Sequence, residues 1–332
     1  MNKILITGGC GFIGHHLVEH ILIKTDWEII ILDKLNYASF GLNRFNEEIF
    51  QININNKRLK IYSWDLIQPI SIGLQKVLGD INYIVHMAAE THVDNSIKDP
   101  VYCVKNNIIS TLNILEYCRK LKNLKIMFNF STDEVYGPAL NNKLFREDER
   151  HNPTNPYSAS KSSSEQLCSA YYNTYKIPIM TINVMNAFGE KQHVEKFIPL
   201  VINKILKKEK VSIHSYPDKK KTGSRFYIHA RNIADAVLYL IKYGKIGDVY
   251  NLKGEKEISN LDMANLIAKI MNSELNYEII DFHSDRPGHD LRYGLNDNKI
   301  KKLGWNMPVN FYDSLEKTIK WTLNHKEWLN IM

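Results

Sequence analysis

KILITGGCGFIG, at residues 3–14, joins a short apolar run to a turn in which Gly8, Gly11 and Gly14 are spaced three apart. The residues that follow, 15–22, repeat their apolar positions at the period of a helix. A strand, a glycine-rich turn and a helix in this order bring backbone N–H groups and a helix N-terminus to one point, where they can receive a pyrophosphate. The stretch therefore predicts a dinucleotide-binding unit.

An acidic residue follows the next apolar run at the distance that this unit requires. Residues 28–32 (EIIIL) end in Asp33, about twenty residues after the glycine turn. A carboxylate at this position accepts a hydrogen bond from the adenosine ribose 2′-OH, whereas it would repel a 2′-phosphate. The sequence thus favours NAD over NADP.

Two further apolar runs end in residues that suit a ligand site. Residues 59–64 are followed by Asp65 and Leu66, and residues 82–87 are followed by AAETH at 88–92. Helical patterns at roughly 15–24, 70–78, 101–121 and 158–175 alternate with these runs, which predicts an α/β fold with a Rossmann-type doubly wound parallel sheet. Ligands of such sheets bind beyond the carboxyl ends of the strands.

The chemistry is predicted to lie between residues 128 and 161. An apolar run, IMFNF at 126–130, breaks at Ser131 into the polar segment 132–134, and Tyr157 and Lys161 lie four apart on a predicted helix, so they share a face. Tyrosine has an unperturbed pKa of ~10, and a drop of ~3 units is needed for a base near neutral pH. An ammonium group one turn away favours the phenolate. The pair therefore suits the oxidation of an alcohol, with Lys161 expected to lower the pKa of Tyr157.

Composition limits the other classes of function. The 332 residues are 44% hydrophobic and 24% charged, as in ordinary globular enzymes, and no apolar run approaches the ~18 to 20 residues of a membrane span. The N-terminus has no charged leader or cleavage site, which predicts a cytoplasmic protein without a membrane anchor. Four widely spaced cysteines fit a reducing compartment and argue against a metal site.

The net charge of +7 is modest. Its densest basic runs, at 204–210 and 219–221, lack interleaved aromatic residues. This pattern favours a solvated surface over a nucleic-acid interface.

These motifs together resemble the extended short-chain dehydrogenase/reductase family. The sequence STDEVYG at 131–137 resembles in particular the nucleotide-sugar 4,6-dehydratases that act on dTDP-glucose or UDP-glucose. The resemblance covers nearly the whole chain, and its later segments are NAFG at 186–189, EKFIP at 195–199, RFYIH at 225–229 and DRPGHD at 285–290. Related decarboxylases and epimerases usually lack an Asp–Glu pair after the threonine.

The resemblance implies a reaction in three steps with tightly bound NAD that is regenerated in each cycle. Tyr157 would take the C4 hydroxyl proton while a hydride passes to NAD, and Lys161 would lower the pKa of Tyr157. Glu134 would then remove the C5 proton while Asp133 protonates the departing C6 hydroxyl, and the hydride would return to C6. Two neighbouring carboxyl groups can have opposite duties when their surroundings separate their pKa values.

The predicted site residues follow from the motifs and the resemblance. The catalytic set is Thr132, Asp133, Glu134, Tyr157 and Lys161. The cofactor contacts are Gly8, Gly11, Phe12, Ile13, Gly14, Asp33, Lys34, Leu35, Asn36, Asp65, Leu66, Ala88, Ala89, Glu90, Thr91, Asn107, Tyr157 and Lys161. The contacts to the nucleotide sugar are His92, Asn186, Lys196, Phe197, Arg225, Arg286 and His289.

Several positions depart from the family pattern. The Arg-Asp-Trp element is Arg225-Phe226-Tyr227, a Gly-Pro-Tyr element is Gly189-Glu190-Lys191, Lys256 replaces a common asparagine, and Leu291 replaces a common arginine. These changes leave the reaction untouched and leave the nucleotide base open between dTDP and UDP. The open alternatives are a UDP-glucuronate decarboxylase or 4-epimerase and, from another class, a catalytically silent NAD-binding regulatory protein, which typically lacks the tyrosine or the lysine.

The predicted domains are interleaved. Residues 1–185 form the NAD-binding domain, to which 222–250 return, and residues 186–221 and 251–332 form a smaller, mixed lobe for the nucleotide sugar. Helix 101–121 has one apolar stripe that should cover the sheet (Val104, Ile108, Leu112, Leu115, Cys118), and it has further apolar residues off that stripe (Ile109, Ile114, Tyr117). The helix from Tyr157 likewise has a stripe (Leu167, Ala170, Tyr171, Thr174) and two aromatic residues off it (Tyr172, Tyr175). The resemblance implies that these helices pair in a homodimer across a two-fold axis.

Overall fold

The structure, a computed structural model, describes residues 1–281 and 291–330, and its centre is a seven-stranded parallel sheet. In sheet order the strands are β11 (Val249–Leu252), β6 (Ile179–Val184), β5 (Ile126–Thr132), β4 (Tyr83–His86), β1 (Lys3–Thr7), β2 (Glu28–Asp33) and β3 (Leu59–Ser63). All neighbouring pairs are parallel. From β1 the strand order runs in one direction to β2 and β3 and in the other to β4, β5 and β6. In doubly wound sheets the ligand binds in the crevice at this point, between β1 and β4.

The large sheet has apolar side chains on both of its faces. Ile4 and Ile6 of β1 belong to one core, whereas Leu5 belongs to the core on the opposite face. Strands that are covered on both sides read as continuous apolar runs, and all residues of β5 are indeed buried. The predicted doubly wound α/β fold is therefore confirmed.

Helices cover both faces of this sheet. They are α1 (Phe12–Lys24), α2 (Glu48–Asn55), α3 (Ile72–Leu78), α4 (Val93–Lys98), α5 (Pro100–Cys118), α6 (Pro156–Tyr175) and α8 (Ala230–Tyr243). Asn155 caps α6 through a capping box and Pro156 follows it in the first turn, so the helix begins immediately before Tyr157.

A smaller lobe has its own core, which α7 (Phe197–Leu206), α9 (Asn260–Ile270) and α11 (Phe311–Asn324) form together with short strands. The pairs are β8 (Val211–Ser215) with β13 (Tyr277–Asp281), β9 (Ser224–Phe226) with β12 (Glu257–Ser259), and β7 (Ala187–Phe188) with β10 (Ile228–His229). The β9–β12 pair is antiparallel, so this lobe is mixed.

The chain passes between the large sheet and the smaller lobe more than once. Helix α8, which lies in the segment 222–250, packs against α1, whereas β9 of the same segment pairs with β12. After that lobe, Ile300 of α10 (Asn298–Lys302) and Trp305 join the core of the large sheet. These late contacts pair residues far apart in sequence, and a local pattern does not reveal them.

The apolar face of α5 also differs from the prediction. Ile114 and Tyr117, expected as surplus, are buried in the core, whereas Val104, Ile108 and Leu112 are half-buried. No helix among residues 1–281 and 291–330 is long and apolar enough to cross a membrane.

Candidate active site

A cavity of about 450 Å³ lies at the carboxyl ends of the large sheet and is bounded on its far side by the smaller lobe. Its wall includes the glycine turn, the ends of β2, β4 and β5, the first turns of α6, and residues from β9 and α7. One cavity therefore brings most of the predicted cofactor, catalytic and substrate residues together.

The glycine turn leaves no room for side chains. Gly8 has a φ of +69°, and a Cβ there would lie 2.8 Å from the Ala88 Cα atom. A Cβ on Gly14 would lie 2.5 Å from the Gly8 carbonyl oxygen. Helix α1 begins at Phe12, directly after Gly11, which has no side chain to cap it. The first N–H groups of α1 are thus available to an anion.

Asp33 lies at the end of β2 and is held by the backbone. Its Oδ2 accepts a hydrogen bond from the Cys10 N–H at 3.0 Å and its Oδ1 accepts one from the Leu35 N–H at 2.8 Å. Burial raises the pKa of this carboxyl, and the two N–H donors oppose that shift. The carboxyl group is thereby fixed on the cavity wall beside the glycine turn.

A buried arginine that the sequence did not single out supports the same region. Arg44 is fully buried and donates to the carbonyl oxygens of Cys10 (3.1 Å), Ser39 (2.7 Å) and Lys191 (3.0 Å). Burial lowers the pKa of Arg44 to about 10, although Asp33 opposes the shift. The guanidinium group ties the glycine turn to two distant loops, and no motif around residue 44 signals this role.

A polar cluster closes the cavity at the end of β4. Lys34 donates to Glu90 Oε1 at 2.6 Å, and Asn36 donates to the same oxygen at 3.2 Å. Asn107 lies behind this wall, where its side chain exchanges hydrogen bonds with the Glu90 backbone and donates to Ser160 at 2.9 Å. Leu35 is likewise outside the cavity lining. Asn107 and Leu35, predicted as cofactor contacts, thus lie behind the cavity wall.

The acid pair follows β5 in a 3₁₀ turn, Asp133–Tyr136. Thr132 Oγ1 donates to Asp133 Oδ1 at 3.0 Å and accepts from the Glu134 N–H at 3.3 Å. Glu134 Oε2 accepts from Asn155 at 3.1 Å and from the Tyr293 hydroxyl at 3.4 Å. Burial, followed by the charge of Glu134, raises the pKa of Asp133 to about 7. A carboxyl group with that pKa can be a proton donor near neutral pH.

Tyr157 and Lys161 line the same cavity from the first turns of α6. Burial and the charges of Glu134 and Asp133 raise the pKa of Tyr157 well above its ordinary value, while a hydrogen bond with Thr132 opposes them. Burial lowers the pKa of Lys161 to about 8. The net lowering of the Tyr157 pKa that we expected from Lys161 is therefore not what the surrounding groups produce, because burial outweighs the other effects.

A further carboxyl group, which the sequence analysis missed, lies one turn beyond Lys161. Glu165 is buried and accepts a hydrogen bond from Ser131, and its other oxygen lies 3.7 Å from His151 Nε2. Burial raises the pKa of Glu165 to about 7, and the charge of Lys161 opposes that shift. The four-residue spacing after Lys161 was the available signal, since it places both side chains on the buried face of α6.

The predicted contacts to the nucleotide sugar separate into three groups. Asn186, Lys196, Phe197 and Arg225 line the cavity. His92 does not, because it lies at the N-terminus of α4 with Nε2 3.9 Å from Glu195. Arg286 and His289 lie outside the described residues.

Comparison with known proteins gives one family. Residues 5–318 match the family described as GDP-mannose 4,6 dehydratase. The chain is 35% identical to a dTDP-D-glucose 4,6-dehydratase of Dictyostelium discoideum, over 100% of this chain and 84% of that protein. It is also 35% identical to a dTDP-glucose 4,6-dehydratase of Escherichia coli, over 98% and 95%. A trifunctional UDP-glucose 4,6-dehydratase of Arabidopsis thaliana is 35% identical over 98% of this chain and 48% of that protein.

Solved structures show the same likeness. A dTDP-glucose 4,6-dehydratase of Streptomyces venezuelae, solved with NAD bound, has a TM-score of 0.87 at 28% identity and covers 98% of each chain. A UDP-glucuronic acid 4-epimerase of Bacillus cereus, solved with UDP-glucuronic acid and NAD, has a TM-score of 0.86 at 26% identity over 97% and 99%.

Proposed function

This chain belongs to the GDP-mannose 4,6 dehydratase family, and on that premise we propose that it dehydrates dTDP-glucose or UDP-glucose to the 4-keto-6-deoxy sugar. The observation that carries the proposal is the acid pair Asp133–Glu134 in the same cavity as Tyr157, Lys161 and the glycine turn. Of the protein side chains, the oxidation of an alcohol by NAD needs only the tyrosine and the lysine. Removal of water in addition needs a base for C5 and an acid for the C6 hydroxyl, and the pair supplies both.

The cavity wall fits a dinucleotide. There is no room for a side chain at Gly8 or Gly14, and α1 begins beside them with its first backbone N–H groups. The Asp33 carboxyl group is fixed next to this turn by a hydrogen bond from the Cys10 N–H. These residues would hold the pyrophosphate and the adenosine ribose of NAD. When bound, NAD accepts a hydride from C4 of the sugar and returns it to C6.

Each catalytic side chain acts on one bond. Tyr157 receives the C4 hydroxyl proton, and the Lys161 ammonium stabilises negative charge that develops there. Glu134 removes the proton from C5, which is acidic once C4 is a ketone. Asp133 protonates the C6 hydroxyl so that it leaves as water, and its raised pKa supports this duty.

The substrate's diphosphate would meet cationic residues of the smaller lobe. Lys196 and Arg225 line the cavity on that side, and Asn186 and Phe197 lie beside them. Arginine suits a diphosphate because its planar fork can form two parallel hydrogen bonds to one phosphate group.

The epimerase and decarboxylase alternatives share the fold and the tyrosine–lysine pair, and the acid pair is what separates them from the dehydratase. A catalytically silent NAD-binding protein is the alternative from another class. The presence of Tyr157 and Lys161 beside Asp133 and Glu134 supports an active enzyme.

The experiment is incubation of the purified protein with dTDP-glucose, UDP-glucose and GDP-mannose in separate reactions, followed by the alkali-induced absorbance of a 4-keto-6-deoxy product. Product from either glucose donor is expected. Inversion at C4 without loss of water would replace the dehydratase by an epimerase, and no reaction with NAD bound would favour the silent protein.

We also propose that the enzyme works in the cytoplasm as a homodimer. All four cysteines are free and buried, which suits a reducing compartment. The half-buried apolar residues Val104, Ile108 and Leu112 lie along one side of α5, a helix that packs against α6, and they support a partner on that side.

A further inference from the structure

Loop 36–44 forms part of the cavity wall on the side of Asp33. Residues 36–39 line the cavity, and they follow Asp33, the carboxyl group assigned to the adenosine ribose, in the chain. The loop contains two 3₁₀ turns, Tyr37–Ser39 and Asn43–Phe45. Because such short turns form few backbone hydrogen bonds, the position of the loop depends mainly on its side chains.

Arg44, at the end of this loop, holds it by hydrogen bonds. Its Nη1 atom donates to the carbonyl oxygens of Ala38 at 2.9 Å, Ser39 at 2.7 Å and Cys10 at 3.1 Å. Its Nε and Nη2 atoms donate to the carbonyl oxygen of Lys191 at 3.2 Å and 3.0 Å. In the described part of the chain, every hydrogen-bond acceptor of Arg44 is thus a neutral carbonyl group, and no carboxylate in this set balances its charge.

Two aromatic rings contact the same guanidinium group. The Arg44 Cζ atom lies 5.4 Å from the ring centroid of Phe40 and 5.3 Å from that of Trp328, and the two centroids are 5.1 Å apart. A guanidinium within about 6 Å of an aromatic ring is attracted to its face, most strongly by tryptophan and away from water. Arg44 is fully buried and Trp328 is 8% exposed. We call Phe40, Arg44 and Trp328 the aromatic clamp.

The backbone of Phe40 supports the same interpretation. Phe40 has a φ of +53°, in the left-handed region that bulky residues rarely adopt. Such a conformation persists only where the surrounding contacts hold it. His193 adds a further contact, since its ring centroid lies 5.1 Å from that of Phe40. The clamp and His193 together therefore hold the loop at Phe40.

Trp328 comes from the smaller lobe. It lies in the 3₁₀ turn Lys326–Leu329, which contacts α7 and α11, and Leu329 belongs to the core of that lobe. The aromatic clamp thus connects the lobe expected to bind the nucleotide sugar to the loop beside the cofactor cavity.

We propose that Trp328 is a positioning residue for NAD, which acts through Arg44 to hold loop 36–44 against the bound cofactor and thereby slows its dissociation. For the dinucleotide to leave, the loop must move, and this movement separates the Arg44 guanidinium from the carbonyl groups and rings around it. Slow dissociation suits an enzyme that regenerates NAD in each cycle. The inference rests on the proposed function only in taking NAD as the resident cofactor.

The test measures how fast NAD leaves wild type, Trp328→Phe and Trp328→Leu. Each protein is incubated with radiolabelled NAD, mixed with a large excess of unlabelled NAD without any nucleotide sugar, and filtered at intervals to count the label retained. Leucine is apolar but has no ring, so NAD should dissociate about tenfold faster. Phenylalanine keeps a ring, and its rate should stay within about threefold of wild type.

Trp305→Leu is the matched control. Trp305 is also buried, but it packs in the core of the large sheet and donates to Asp235 Oδ1 at 2.9 Å. The substitution should lower the melting temperature of the protein, as Trp328→Leu does, without a change in the dissociation rate of NAD. The comparison separates a specific effect on the loop from a general loss of stability.

A double substitution shows whether Trp328 acts through Arg44. Arg44→Lys keeps the charge, but an ammonium group lacks the planar fork that reaches several carbonyl groups at once, so NAD should dissociate at least ~10-fold faster. In Arg44→Lys/Trp328→Leu the second change should add little, because the aromatic clamp is already disrupted. Independent action would instead make the two effects multiply.

The proposal is wrong if Trp328→Leu releases NAD no faster than wild type, if Trp328→Phe releases it as fast as Trp328→Leu, or if Trp305→Leu has an equal effect. Multiplying effects in the double variant would likewise overturn it. A wild-type protein that does not bind NAD would overturn the proposed function and the clamp together. Retained NAD without any 4-keto-6-deoxy product would overturn the dehydratase alone.

Discussion

Glu134 and Tyr157 share one cavity but act on different bonds in the proposed reaction. Tyr157→Phe should abolish all redox chemistry, whereas Glu134→Gln should still oxidise C4 and fail to release water, because only the C5 proton transfer is removed. Reduced-nicotinamide absorbance that persists in Glu134→Gln, without alkali-detectable product, is the expected signature. Loss of both signals in Glu134→Gln, with cofactor and substrate still bound, would contradict the assigned roles.

Asp133 should reduce the stability of the fold in a pH-dependent way. Its pKa is raised from 3.8 to about 7, so between these values the native state binds more protons than the unfolded state, and stability falls as pH rises through that window. Asp133→Asn removes the ionisation, and its gain in unfolding free energy should therefore be larger at pH 8 than at pH 5, on the order of a few kcal/mol. Urea unfolding at both pH values measures it.

The control for this prediction is Asp148→Asn, which changes an exposed carboxyl group that lies 3.0 Å from the Arg146 guanidinium. Its effect should be small and should not grow between the two pH values. If Asp133→Asn increased the free energy of unfolding equally at both pH values, the fold would not raise the pKa of Asp133.

Most of the residues that were named from the sequence as site candidates line the cavity, but their pKa shifts could not be predicted from the sequence. The motifs led to Asp133, Tyr157 and Lys161 because each type of chemistry needs those groups at a strand end or on one helix face. The direction of the Tyr157 pKa shift depends on how completely the phenol is buried, which only the packed structure determines. Arg44 was missed for a similar reason, since two of its partners, the backbone carbonyls of Cys10 and Lys191, lie 34 and 147 residues away in sequence.

The glycine turn gives a sharp test of element packing. In Gly14→Ala a Cβ would lie 2.5 Å from the Gly8 carbonyl oxygen and 2.7 Å from the Gly9 Cα, so α1 must move away from the turn. We expect loss of copurified NAD and a decrease of about 1–3 kcal/mol in unfolding free energy. Cofactor content after gel filtration and urea unfolding measure the two effects.

Gly73→Ala is the matched control for this change, because Gly73 lies in α3 and, within the described part of the chain, its Cβ would meet only the Ser71 hydroxyl, at 3.9 Å. A helix gains about 0.5–1 kcal/mol from this exchange, and NAD content should not change. Retention of NAD and full stability in Gly14→Ala would show that the turn has more freedom than its contacts indicate.

Helices and long strands could be predicted from the sequence, whereas the smaller lobe could not. The buried strand β5 contains an apolar run, and the helix after the glycine turn repeats its apolar residues at helical period. The strands β7, β9 and β10 are only two or three residues long and depend on partners elsewhere in the chain. Helix α1 begins at Phe12 rather than near residue 15, because its first turn grows directly out of the glycine loop.

The molecule as a whole should keep its cofactor through many turnovers. The hydride taken from C4 returns to C6 of the same sugar, so NAD is neither consumed nor required to leave. We expect NAD to copurify and product to form in large excess over NAD without any addition of it. A stoichiometric requirement for NAD, or free NADH in the filtrate, would contradict the dehydratase and favour a simple dehydrogenase.

The surface of α5 is where we expect the second copy of the chain. Val101, Val104, Ile108 and Leu112 follow one another at spacings of three and four, so they share a side of the helix, and Val101 is 74% exposed. Helix α6 packs beside α5, and its Tyr175 is 46% exposed. Ile114 and Tyr117 are already used by the core, so the apolar surface available for a partner comes from the other side of the helix than the sequence suggested.

A double substitution tests this interface. In Ile108→Glu/Leu112→Glu, two carboxylates would have to be buried without partners if a two-fold pair of α5 and α6 helices formed, so the protein should sediment as the 38.6 kDa monomer at micromolar concentration. Wild type should sediment at twice that mass. The matched control, Ile72→Glu/Val77→Glu, adds the same charges to two exposed apolar residues of α3 and should remain dimeric. A fully active wild-type monomer would contradict the dimer. It would mean that this side of α5 faces solvent and that the active site does not need a second copy of the chain.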